Sequence, residues 1–292
     1  VSAFVIASSS SVFFILSLDP VTVNMTCGKS GPIIIEMNTL GHHYWRQIKV
    51  LTWAKMKSRY RKTMAGFLWV VMSPILLFVT QAFVFKKILK LEIPNYYLFL
   101  LGGLLPWIFI TTTMDMCAPA LYSSRDLLKA FKIPPFILVC SQILYNFINF
   151  LFAFFLVLIP FVVITGTEIG GLLFIPLALF NILLGTTGLV WLLAAMQVFL
   201  KDVPFIIPFV TGVLYFITPI FYPIEYVPQQ FLWIVKINPF YGIIQPFRLC
   251  IYNFSLETFL PALGLGFCFS MCFVILSLIF WRVKRDDFYH YL

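Results

Sequence analysis

Charge is what this chain has least of. Charged residues make up 11% of its 292 positions, against about 25% in an ordinary soluble domain. Hydrophobic residues make up 61%, a balance that a multi-spanning membrane protein tolerates and a water-soluble fold does not. Histidine is nearly absent: His42, His43 and His290 lie outside the long apolar runs, so the membrane interior lacks the side chain that most often moves protons in catalysis. The long runs contain one acid, Asp115, close to the end of its run; a proton-coupling carboxylate is expected at mid-membrane with a partner. The cysteines at 27, 117, 140, 250, 268 and 272 form no CxxC pair, which excludes a zinc frame and leaves them as small hydrophobes. Cys27-Gly28-Lys29-Ser30 ends like a phosphate loop, but Val23 holds the position where that loop needs glycine. The chain therefore has no nucleotide site, metal site or catalytic constellation of its own.

Six apolar windows are present: 67 to 85, 97 to 116, 136 to 163, 172 to 199, 203 to 222 and 258 to 281. One charge at a helix centre costs about 2.5–3.5 kcal/mol while each Leu or Phe returns a few tenths, so the scarcity of charge in these windows makes them spans. The expected fold is an all-α membrane protein with six transmembrane helices. The residues from 203 to 222 would reach about 30 Å as one helix, the thickness of a bilayer core. Residues 224–252 are apolar and aromatic but broken by Pro228, Asn238-Pro239 and Pro246 into pieces too short to cross. They are expected to enter and return as a re-entrant helical hairpin, because irregular backbone survives at membrane depth only where protein or a water-filled cavity solvates it. That pattern suggests the wall and mouth of a passage.

The +9 net charge reports topology and anionic lipid in such a protein, and no nucleic-acid partner is expected. The segments assigned to the inside hold 14 Lys and Arg and those assigned to the outside hold 5, which puts both termini in the cytoplasm and the hairpin outside. From Leu40 to Lys62, cations alternate with Tyr44, Trp45, Ile48, Leu51, Trp53 and Met56, the pattern of an amphipathic helix lying in the headgroup plane. This places a cytoplasmic interfacial helix in residues 37–66, a permease domain in 67–285 and a short cytoplasmic tail in 286–292. Residues 1–36 read as an atypical, dispensable extension, with the working protein starting near Met37. Between the second and third windows, Ser123 and Asp126 have capping-box spacing, Leu127 and Phe131 share a face, and Pro134-Pro135 closes a short amphipathic helix whose face must meet a partner or the membrane surface.

Several motifs in fixed order then point to a family. They are Arg59-Tyr60-Arg61 with Gly66-Phe67-Leu68-Trp69 and Ser73-Pro74; Leu100-Leu101-Gly102-Gly103-Leu104-Leu105-Pro106-Trp107; the loop from Arg125 to Pro134; Val198-Phe199-Leu200-Lys201-Asp202-Val203; and Thr218-Pro219-Ile220-Phe221-Tyr222-Pro223 with Asn238-Pro239. Over residues 45 to 285 the chain resembles the membrane subunits of type-2 ABC exporters that move polysaccharides: capsule, lipopolysaccharide O-antigen and teichoic acid permeases. The resemblance implies a bacterial inner-membrane homodimer with two cytoplasmic ATPase subunits, which would hold ATP and magnesium. By the same resemblance Arg125, Asp126, Leu127, Leu128, Lys129 and Phe131 would form the coupling helix, with Lys201 and Asp202 nearby.

Sugars offer flat C–H faces, so a polymer conduit needs aromatic platforms. The candidates are Trp69, Tyr215, Phe216, Phe221, Tyr222, Tyr226, Trp233, Phe240 and Tyr241, with an interfacial aromatic belt as the alternative use of such residues. Arg59, Arg61 and Arg248 are candidates for the phosphates of a lipid-linked glycan, since guanidinium matches phosphate with paired donors. Gln142, Asn146 and Asn149, like Gly185-Thr186-Thr187-Gly188, are expected to let helices pack closely. A related permease for lipids or drugs, a stand-alone flippase or carrier, and a membrane-embedded glycan-processing enzyme are the competing readings. The missing mid-membrane carboxylates weigh against the last two.

Overall fold

The computed structural model describes residues 37–60, 66–126, 128, 134–165 and 170–291. Every element among them is helical: α1 Met37–Tyr60, α2 Gly66–Phe83 with a π turn at Val84–Ile88, α3 Tyr96–Cys117, α4 Ala120–Ser123, α5 Pro135–Thr165, α6 Ile175–Phe199, α7 Val203–Ile217, α8 Leu232–Ile237, α9 Pro239–Ile251 and α10 Leu256–Tyr291. Helices α3, α5, α6 and α10 are long and apolar enough to cross a membrane, while α7 is a shorter apolar helix.

Helix α3 forms the centre. Leu100, Leu104, Leu105 and Ile110 are fully covered, and α2, α5, α6, α7 and α9 all pack against it. In lipid, apolar side chains gain little by leaving one hydrocarbon for another, so close backbone approach and internal hydrogen bonds must hold such helices together. Both occur where α6 crosses α10. A Cβ on Gly188 would come 2.6 Å from the Val274 amide nitrogen, so only glycine allows that crossing. One turn or two away, the buried Asn181 donates from Nδ2 to Ile243 O (3.2 Å) and accepts at Oδ1 from Ser270 Oγ (3.0 Å), tying α6 to α9 and α10. Thr186 and Thr187 donate back to their own helix, to Ile182 O and Leu183 O, and so present no bare hydroxyl to the apolar surroundings.

Helix α1 packs on the start of α5. Ile48 and Thr52 are buried, Thr52 Oγ1 donates to Ser141 O at 3.2 Å, Lys55 Nζ reaches Leu138 O at 3.4 Å, and Tyr44 meets Phe136 edge to face. Burial holds the Lys55 ammonium below its ordinary pKa. The opposite face exposes Trp45, Val50 and Trp53, with Lys49 over the Trp45 ring.

Two expected boundaries move. The window from 203 to 222 is not one helix: α7 stops at Ile217, and Thr218 is extended at φ −78°, ψ 123°. Pro219 causes this, since a residue before proline is driven out of the helical region. Fifteen residues reach about 22 Å, less than the hydrocarbon core. At the other end of the chain, the window from 258 to 281 and the tail beyond it are continuous helix to Tyr291. Its 36 residues span about 54 Å, far more than one bilayer crossing. Near the short loop helix, Ser123 ends α4 and turns its hydroxyl back to Ala120 O in place of the expected forward cap.

Candidate functional site

The chain from Thr218 to Tyr222 is non-helical backbone set among apolar helices, where each unsatisfied carbonyl is costly. Side chains from several elements satisfy it. Asn238 Nδ2, at the join of α8 and α9, donates to Thr218 Oγ1 at 2.8 Å, while its Oδ1 caps α9 by accepting from Phe240 N at 3.0 Å. Arg248 Nη2 on α9 donates to Ile220 O at 3.1 Å. Tyr96 OH at the start of α3 donates to Phe221 O at 3.1 Å, and Tyr222 OH donates to Phe216 O at 2.9 Å, one of the carbonyls the end of α7 leaves open.

Arg248 is the centre of this latch. It is 4% exposed and its guanidinium lies 4.4 Å from the Phe99 ring centroid. Gly102 and Gly103 give it room, since a Cβ on Gly102 would come 2.9 Å from Arg248 Cα and one on Gly103 would strike the guanidinium. Arg248, named above as a candidate for lipid phosphate, is thus placed inside the fold. Its Nη2 donates to a backbone carbonyl and its guanidinium lies against an aromatic face inside the fold, where it acts as an internal strut.

Helix α9 runs from the middle of the bundle to its end. Phe240 meets Trp107, midway along α3, at 5.6 Å, and Tyr252 meets Phe99, near the start of α3, at 5.4 Å. The break between α8 and α9 at Asn238 therefore sits deep, buried against the end of α7.

The aromatic candidates divide. Phe221 and Phe240 are buried in the core, Phe221 stacking on Phe85 at 4.6 Å. Tyr215 is half-buried between Trp107, Phe216 and Phe221; Tyr222 and Tyr241 are also half-buried. Phe216, Tyr226 and Trp233 are exposed. Position 69 lies on α2 and position 59 on α1, but the side chains of Trp69 and Arg59, and all of Arg61, Leu127, Lys129 and Phe131, lie outside the described residues.

A stripe that the sequence reading did not single out runs along α7. Phe205, Phe209 and Phe216 are 80%, 74% and 68% exposed, and Gly212 between them has no neighbour within 4 Å of its Cβ position. At 100° per residue these four positions share one face. The signal was the spacing i, i+4, i+7, i+11 within a run already read as a span.

At the opposite end of the bundle, Arg125 and Lys201 meet over one ring. The Arg125 guanidinium lies 5.3 Å and the Lys201 ammonium 5.9 Å from the Tyr122 centroid, and Arg125 Nη1 donates to Tyr122 OH at 3.3 Å. Asp126 and Asp202 are exposed beside them, while Leu128 is buried in the core. Leu128 thus anchors the loop, leaving the exposed charges to meet solvent or a partner.

The comparisons with known proteins agree with this architecture. The sequence model for the ABC-2 type transporter matches residues 46–252. The chain is 26% identical over 241 residues to the O-antigen export system permease protein RfbA of Myxococcus xanthus, covering 80% of this chain and 90% of that protein. It is 26% identical over 210 residues to a protein of the same name from Klebsiella pneumoniae, covering 71% and 81%. It is 20% identical over 202 residues to the polysialic acid transport protein KpsM of Escherichia coli, covering 68% and 78%. A broken apolar helix latched deep in a helical bundle, in a chain whose family match spans that latch, is what these residues build: the chain belongs to the ABC-2 type transporter family, as a multi-pass membrane protein.

Proposed function

We propose that this chain is the transmembrane subunit of an ATP-driven exporter that moves a lipid-linked polysaccharide across the inner membrane of a bacterium. The relatives named for O-antigen export and polysialic acid transport support the substrate class. In this reading two copies face each other and two cytoplasmic ABC ATPases bind ATP and magnesium, because the chain has no nucleotide site of its own. The six spans of this reading are α2, α3, α5, α6, α7 completed by the non-helical chain to Tyr222, and α10, and the Lys and Arg bias puts both termini in the cytoplasm. The α8–α9 hairpin re-enters from outside, in keeping with the deep position of Asn238.

The observation that carries the reading is the exposed stripe of Phe205, Phe209, Gly212 and Phe216 on a helix whose outer end is latched. Phenyl rings give a sliding polymer weak, repeated contacts with its C–H faces, and Gly212 leaves the space between them open. Tyr226 and Trp233 extend the aromatic surface at the outer mouth. Arg59 and Arg61, at the inner end of α2, would receive the substrate's phosphates, and ATPase motion would enter through the segment carrying Arg125 and Asp126 and through Lys201 and Asp202.

The test replaces Phe209 and Phe216 together with Ser. Membrane abundance should match the wild type because both side chains are mostly exposed, Phe216 making only edge contacts with Tyr215 and Phe221, while surface polysaccharide falls sharply. Normal surface display would overturn the lining role. A lipid or drug permease predicts that display is untouched.

A further inference from the structure

The chain beyond the expected span end at residue 281 continues α10 to Tyr291, and Trp281 and Phe288 are packed. Trp281 meets Trp191 of α6 at 5.5 Å and Phe288 at 4.9 Å, and Phe288 is 1% exposed. A second face grips the end of α6. Phe280, Lys284 and Tyr291 all meet the Phe199 ring, at 6.0, 5.6 and 5.3 Å; a spacing of 4 and 7 residues puts them on one side of the helix. Phe199 begins the turn that carries Lys201, and Lys201 in turn lies over Tyr122 with Arg125. Three separate stretches of chain, around Tyr122, the Phe199–Asp202 turn and the end of α10, are thus joined through two rings into one surface.

The charge on that surface identifies the kind of partner. Arg125 lies beside Asp126 at 3.8 Å and Lys284 beside Asp287 at 3.9 Å, and Lys201 precedes Asp202. Exposed Leu200 and Tyr291 lie among these pairs. An anionic lipid surface selects cations without acids, and α1 has that composition, with no Asp or Glu anywhere in it. Apolar and aromatic groups within a rim of balanced charge suit a folded protein.

We propose that the end of α10, from Lys284 to Tyr291, is part of the surface on which the cytoplasmic ATPase docks, and that it positions the Phe199–Asp202 turn against that subunit. The proposal rests on the ATP-driven reading above. It assigns Lys284, Phe199 and Tyr122 as positioning residues that act through the turn.

The experiment uses the full chain in membranes with its cognate ABC ATPase, with p-benzoylphenylalanine placed in turn at Asp126, Tyr291 and Trp53. On irradiation, positions 126 and 291 should give adducts to the ATPase, and position 53, on the lipid-facing side of α1, should not. ATPase adducts from 126 with only lipid adducts from 291 would overturn the role of α10 and leave the ATPase reading intact. No ATPase adduct from any position, with no co-purification, would sink both. In parallel, Lys284→Glu combined with Tyr291→Ala should cut ATPase retention on the purified permease by roughly fivefold or more at unchanged permease abundance. Wild-type retention would overturn the proposal, and if abundance falls the crosslinks decide.

Discussion

Replacing Arg248 with Ala should free the C-terminal end of α7 without unfolding the bundle. The structure sets the scale. The substitution removes a charge-assisted hydrogen bond to Ile220 O at 3.1 Å, worth about 1.5–3 kcal/mol, and a desolvated cation–π contact with Phe99 at 4.4 Å, worth about 2 kcal/mol. It also strands the Ile220 carbonyl, at about 1–3 kcal/mol. Against these losses stands the release of a charge from an apolar site, which returns several kcal/mol. The net cost of closing the loop should be about 2–3 kcal/mol, roughly a 30- to 150-fold rise in its open population. Ile220 is fully covered, so its accessibility reports that opening. In a background whose native cysteines are replaced by Ala, Ile220→Cys should react slowly with a membrane-impermeant maleimide, and adding Arg248→Ala should speed labelling by that factor. Arg248→Lys should behave nearly like Ala, since an ammonium cannot both reach the carbonyl and stack on Phe99. Equal labelling rates in all three would refute the latch.

Two further expectations separate packing from passage. Gly188→Val should destabilise the detergent-solubilised protein by about 1–3 kcal/mol, because its side chain would strike the Val274 backbone, whereas Gly212→Val, in open space, should leave thermal unfolding unchanged and impair export; equal melting temperatures for both would contradict the α6–α10 crossing. Asn181→Ala removes the side-chain donor to Ile243 O and leaves Ser270 Oγ only the backbone carbonyl of residue 181; it should cost about 2 kcal/mol in thermal unfolding, with Asn181→Asp costing as much because a carboxylate cannot donate to Ile243 O.

The positions of the long helices were legible because charge is excluded from a bilayer and the windows between charges match its thickness. What hydropathy could not reveal is where an apolar run stops being helical: Thr218-Pro219 lies inside a continuous hydrophobic stretch, and only the proline carried the signal. The tail of α10 was missed for the opposite reason. Arg282, Lys284, Arg285, Asp286 and Asp287 end the apolar run that hydropathy follows, while Phe288 and Tyr291 continue the helical stripe of Phe280 and Trp281. Arg248 read as an exit-side cation since sequence does not reveal burial. Its real surroundings depend on Gly102 and Gly103, 145 or more positions earlier, whose vacancy admits it. Asn181 is a polar residue in an apolar run, and such a residue survives in lipid only when other helices satisfy it.

The most direct test of the account is export by the purified chain in proteoliposomes, supplied with a lipid-linked polysaccharide, with and without the cognate ABC ATPase. The account predicts translocation only when the ATPase, ATP and magnesium are all present, and its loss when Phe209 and Phe216 are Ser. Translocation by the chain alone, without nucleotide, would contradict it.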